Sequence, residues 1–206
     1  MLKEIFISLL SKYSKDEEYT FTLWNEIEKK HSGKKRYYHT LTHLEHIYNQ
    51  LHTVKDQIQD WDITLFALFY HDFIYNILKQ NNEEQSAKKA VTILGTLDID
   101  KERIQLCYEM IIATKGHQIS KHNDINLFTD ADLSILGSDW EGYKTYFEHV
   151  RKEYNYYPDL LYNPGRIKIL RHFLNMFRIF KTDHFYDAYE EKAKLNLQQE
   201  IDILSK

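Results

Sequence analysis

Apolar residues recur along this chain at spacings of three and four rather than in alternation, the period of helices that bury one face. Residues 17–30 carry Phe21, Trp24, Ile27 and Glu28 at helical spacing and stop at His31-Ser32-Gly33, where the glycine can supply a left-handed cap. From about 40 to 53, Leu41, Leu44, Ile47, Tyr48 and Leu51 form a second apolar face. Residues 61–73 are apolar nearly all round, as a central helix enclosed by its neighbours requires, and His71-Asp72 stands at the far end. Asn81-Asn82 followed by Glu83-Glu84 opens a helix over 83–95, and Asp100 opens another reaching about Thr114. Polar, turn-forming residues fill the stretch from Lys115 to Asp124, the longest expected loop, and further helices are predicted over 127–136, 140–156, 165–180 and 186–204. Only six glycines and two prolines interrupt the 206 residues, so the pattern predicts an all-α domain with short connections.

Composition narrows the function classes. The chain is long enough for one sizeable core, and it shows no repeat, low-complexity tract or obvious linker. A single cysteine, Cys107, excludes a disulfide framework and a thiolate zinc cluster, leaving nitrogen and oxygen as ligands for any metal. With 27 Lys plus Arg against 31 Asp plus Glu there is no broad basic field for duplex nucleic acid. Charges break every apolar run well short of a membrane span, and the N-terminal stretch reads as an amphipathic helix rather than a leader. The expectation is therefore a soluble cytoplasmic protein. Apolar stripes on the terminal helices suit a homodimer and intramolecular packing equally.

A His-Asp dipeptide by itself is weak evidence of chemistry, and its setting here carries the weight. His71-Asp72 ends a helix too apolar to face water, and burying an imidazole beside a carboxylate is costly unless they pair or hold a metal. His43 lies on a preceding helix whose Leu44 and Ile47 point inward, and Asp130-Ala131-Asp132 opens the apolar run of Leu133, Ile135 and Leu136. Three helices could thus converge on one ion. Neutral imidazole and ionised carboxylate are ligands for divalent Mn, Fe, Co, Ni or Zn, in a site of one or two ions.

The order His43, His71-Asp72, Asp132 resembles the HD superfamily of metal-dependent phosphohydrolases. The likeness extends through Arg36-Tyr37-Tyr38-His39-Thr40-Leu41-Thr42-His43, Tyr70-His71-Asp72-Phe73-Ile74-Tyr75, Asn82-Glu83-Glu84-Gln85-Ser86-Ala87, Asp130-Ala131-Asp132-Leu133-Ser134-Ile135-Leu136-Gly137 and Val150-Arg151-Lys152-Glu153-Tyr154 to a bacterial branch of predicted HD phosphohydrolases. It implies a single-domain HD-type helical bundle over 1–206, its core about 20–175 and the terminal helices packed on it. The implied metal ligands are His43, His71, Asp72 and Asp132, with Asp72 also orienting the attacking water. Asp130 competes with Asp132 as a helix cap.

Further assignments follow from the same resemblance and from residue chemistry. His39 is a candidate phosphate contact or second-metal ligand, and His117 in the polar loop is a candidate further ligand. Glu83 or Glu84 is the candidate proton donor or acceptor, against a plain role in the first turn of a helix. Arg36, Arg151 and Arg166 offer planar guanidinium forks for phosphoryl oxygens, and Lys115 a further cation. The expected activity is hydrolysis of a phosphate ester in a nucleotide or similar small phosphorylated metabolite. The alternatives are a ligand-sensing or structural helical module with a degenerate metal site, and a di-iron oxygenase.

Overall fold

The computed structural model describes residues 1–206 and is all-α, with ten helices and no strand, as the periodicity predicts. It comprises two compact units, Met1–Thr129 and Asp130–Lys206. The division falls inside a continuous helix and so carries none of the Pro, Gly or Ser enrichment by which a sequence announces a linker.

The first unit holds α1 (Leu2–Leu10), α2 (Glu17–His31), α3 (Leu41–Thr53), α4 (Trp61–Tyr70), α5 (Asn82–Leu94), α6 (Lys101–Ala113) and most of α7 (Asn123–Leu133). Helix α4 is its centre: Ile63 to Tyr70 are all buried, and α1, α3, α5 and α6 pack on it. Phe69 of α4 meets Phe6 of α1 edge-on at 5.0 Å between ring centroids and Trp24 of α2 at 6.4 Å. Asp60 starts α4, its carboxylate accepting from the Ile63 amide, while Arg103 of α6 binds the same carboxylate. The buried Asp124 at the start of α7 accepts from the amides of Gln59 and Asp60, which fixes where α7 begins relative to α4.

Several expected boundaries move. Helix α2 closes at Ser32, whose amide donates to Glu28, and no glycine in the chain has a positive φ, so Gly33 is not a left-handed cap. Lys29 and Lys30 occupy the last turn and favour the helix end electrostatically instead. Helix α7 starts four residues before the expected 127, where the buried Asp124 binds the amides of Gln59 and Asp60. In the second unit, α9 begins at Asp159 rather than 165 and runs through Pro164. The amide missing at Pro164 would have served the Leu160 carbonyl, in an exposed first turn where water can replace it.

The second unit continues from the last turn of α7 through a 3-10 turn (Ser134–Gly137) to α8 (Trp140–Glu153), α9 (Asp159–Leu174) and α10 (Asp183–Leu204). Helix α10 packs on α9 and on the 3-10 turn. Three buried polar residues of α10 each secure a different segment. Glu190 accepts from the Ile179 and Phe180 amides, Asn196 donates to the Leu136 and Ser138 carbonyls, and Glu200 binds Arg166. At Gly137 a methyl group would stand 2.6 Å from the Tyr189 backbone oxygen and Cβ, so only glycine allows the turn this close to α10. Gly137→Ala is expected to lower stability by about 1–3 kcal/mol through this overpacking, read as a lower urea midpoint. An unchanged midpoint would show that α10 yields at no cost.

Candidate metal centre

The all-apolar α4 delivers His71 at its C-terminal cap, where the side chain is 2% exposed. Its Nδ1 donates to the Leu68 carbonyl at 2.9 Å, a bond that fixes the ring and turns Nε2 towards His43 and Asp72. His43, on the first turn of α3 beside the inward Leu44, brings its own Nε2 to 3.4 Å from that of His71. That spacing matches the roughly 3.3 Å between two nitrogens on a four-coordinate ion with metal–nitrogen bonds near 2.0–2.1 Å. Asp72 Oδ2 lies 3.1 Å from His71 Nε2 and 3.5 Å from His43 Nε2. Burial pushes the Asp72 carboxyl up, but His71, His39 and the hydrogen bonds from His43 and His71 outweigh it and hold the group well below the usual carboxylate range.

Asp132 arrives on the final turn of α7, and ligand atoms of His43, His71 and Asp132 all lie within 4.8 Å of one another. This half-buried to buried group, with donors of the borderline nitrogen and hard oxygen type, could hold a metal ion. Asp130, the competitor, is occupied elsewhere. Its buried carboxylate accepts from the Lys181 and Thr182 amides and from the Thr182 hydroxyl. With Glu190 taking the two preceding amides, four consecutive N–H groups, Ile179 to Thr182, end on two buried carboxylates.

Around the histidines, His39 lies 5.6 Å ring to ring from His43 and 4.3 Å from Tyr75, and Tyr38 lies 4.7 Å from His43. Glu83, half-buried at the start of α5, has its carboxyl pushed up, chiefly by burial and further by the charges of Glu84 and Asp72. Glu84 is different. Lys115 binds it at 2.6 Å and holds its carboxyl down, so of the two glutamates Glu83 is the one whose electrostatics suit proton transfer.

The candidate cations each have partners within the protein. Lys115 donates to Glu84 and to the Gln80 carbonyl, bridging the loop after α6 to the start of α5. Arg36 donates to the carbonyls of His39, Asp72 and Phe73. Arg151 ties α8 to α9 through Asp159 and the Tyr154 and Tyr157 carbonyls, with its guanidinium over the Tyr162 ring. Arg166 is buried, its Nε 2.7 Å from Glu200, and Tyr143 donates to the same carboxylate. These guanidinium groups answer nearby carboxylates and carbonyls, which explains their burial or half-burial without a phosphate. His117 is buried, with a positive φ of 49°, and is not one of the His43–His71–Asp132 group.

Sequence reasoning missed His31. It is 1% exposed at the end of α2, with Nδ1 on the Ile27 carbonyl, and the fields of Arg36, Asp72 and His71 reach it. Its spacing from Trp24 and Ile27 was the available signal, since 24, 27 and 31 share one helix face. No family model matches the chain, and no curated protein and no solved structure matches it either.

Two predictions follow from these environments. Arg166→Ala leaves Glu200 buried without its cation and is expected to cost about 3–5 kcal/mol in urea unfolding; a loss under 1 kcal/mol would contradict the structural role. Burial, reinforced by Arg36, drives His31 down from 6.5 to about 3. The unfolded chain therefore takes up a proton below about 6.5 that the folded chain refuses until about 3, so stability is full above this window and falls as pH drops through it. His31→Leu should flatten the decline by up to about 1.4 kcal/mol per pH unit, measured as urea midpoints from pH 7.5 to 4.5. Equal slopes in the two proteins would rule this out.

Proposed function

We propose that the chain is a metal-dependent phosphohydrolase of the HD type, acting on a phosphate ester of a nucleotide or small phosphorylated metabolite. The observation that carries this reading is the convergence of His43, His71 and Asp132 within 4.8 Å, with the ionised Asp72 against both imidazoles. The ordered sequence motifs that resemble the HD superfamily support it. A divalent ion held there would polarise a phosphoryl oxygen and lower the pKa of water, giving hydrolysis near neutral pH. The chain's own residues do the rest. His71 is held in one orientation by Leu68, Asp72 presents a charged oxygen able to orient a water, and Glu83 keeps a carboxyl of raised proton affinity beside the Asp72 field. His39 and Tyr75 form a partly exposed wall on the same side, suited to contact a substrate's leaving group.

No helix is long and apolar enough to cross a membrane. The engagement of Arg36, Lys115, Arg151 and Arg166 with protein groups favours a second reading, a helical sensing module that binds a metal and a ligand without turnover.

Metal analysis of untagged protein by inductively coupled plasma mass spectrometry is expected to find a divalent ion bound in the wild type and lost in His43→Ala and Asp132→Ala. With that metal restored, hydrolysis across a panel of nucleotides and sugar phosphates should disappear with chelator. Glu83→Gln should lower kcat by about 10²-fold or more while metal content stays, as loss of a general acid-base group does. Metal binding without hydrolysis would leave the sensing module, and no binding of Mn, Fe, Co, Ni or Zn would remove both readings.

A further inference from the structure

Arg36 sits in an irregular loop, between Gly33 and Thr40, that leads into the helix bearing His43. Local bonds shape that loop: the Arg36 amide donates to Gly33 and the Thr40 amide to Tyr38. The Arg36 side chain reaches further. Nη1 donates to the His39 carbonyl at 3.0 Å, and Nη2 donates to the Asp72 carbonyl at 2.7 Å and the Phe73 carbonyl at 3.2 Å. The guanidinium also lies over the Tyr75 ring, 5.3 Å from its centroid. One planar group therefore grips the backbone of the segment before His43 and the backbone of the His71-Asp72 turn at once.

We propose that Arg36 is a positioning residue that sets the spacing of His43 against His71 and Asp72, rather than a contact for substrate phosphate. The inference rests on the metal-centre reading above. Three features carry it. The two carbonyls beyond α4 lie at the negative end of that helix, where a cation is favoured and unpaired acceptors need donors. A fork with donors on separate nitrogens can hold two segments in a fixed relation, which a lysine's single nitrogen cannot do with the same geometry. The groups it holds are the backbone of Asp72 itself and of His39, four residues ahead of His43, so a shift in the clamp moves Asp72 and the approach of α3 directly.

Cobalt(II) is the probe, because its visible d–d bands report ligand geometry without any need for activity. The full-length wild type, Arg36→Lys and Arg36→Gln are titrated with cobalt, and each saturated protein is then titrated with inorganic phosphate. Positioning predicts cobalt affinity lowered about 10–100-fold in both variants, as for other residues that orient metal ligands, with altered band intensities. Phosphate affinity of the saturated proteins should stay within about twofold of wild type, the result expected when no phosphate contact has been removed. Unchanged cobalt affinity and bands in the variants would overturn the proposal. The same bands with weakened phosphate binding would make Arg36 a phosphate contact instead. Loss of the folded state in both variants, seen by circular dichroism, would also overturn it, since the role would then be general stability. A wild type that binds no cobalt or other divalent ion would fail the metal-centre reading itself, an outcome separate from these.

Discussion

Placing two imidazoles and a carboxylate at the end of a helix that has no polar face is costly unless each polar atom finds a partner. In this chain the cost is met by geometry. The Leu68 carbonyl accepts a hydrogen bond from His71 Nδ1, and Asp72 places a charged oxygen within 3.1–3.5 Å of both Nε2 atoms. Much of the first unit follows from holding that arrangement. Helix α4 must be enclosed on all sides to end there, and α3 must start with His43 facing it. The entry to α7 is fixed on the start of α4 by Asp124, at a carboxylate that accepts two of its neighbour's amides.

Charge in the second unit is handled by the opposite device. There, buried carboxylates meet backbone amides or arginine directly: Glu190 and Asp130 with the amides of residues 179–182, and Glu200 with Arg166. These groups are fully committed to protein partners. The contrast explains why Asp130 and Asp132, two residues apart on one helix, have different uses. Two positions turn a side chain by about 200° around a helix, so one carboxylate reaches the loop before α10 while the other lies with the histidines.

Much of this was legible in the sequence, and the failures have identifiable causes. Helical period gave the ten-helix, strandless fold because it reports burial on one face, and the absence of any polar face in 61–73 marked the central helix. His43 and His71 could be selected from their apolar neighbours, whereas Asp132 stands above Asp130 in the sequence only through the resemblance. The cations were not legible. Whether Arg166 meets phosphate or Glu200, 34 residues away, is decided by tertiary contact alone, and nothing local distinguishes the two. Helix ends moved for the same reason: Asp124 extends α7 because of amides 64 and 65 residues earlier, and Pro164 is tolerated because its orphaned carbonyl lies in an exposed turn. Glu83 and Glu84 looked equivalent as letters and are separated by Lys115, which binds one of them.

The clamp on residues 179–182 has a bearing on how this chain can vary. Four successive amides end on two carboxylates, Glu190 of α10 and Asp130 of α7. Adding or removing one residue between Ile179 and Thr182 would move part of this run of amides off its acceptors and strip buried carboxylates of backbone donors. Surface connections elsewhere, such as the polar stretch after α6, can lengthen at little cost, whereas this one has a fixed length. Insertions and deletions among descendants of this sequence should therefore spare the segment before α10 even where its side chains change.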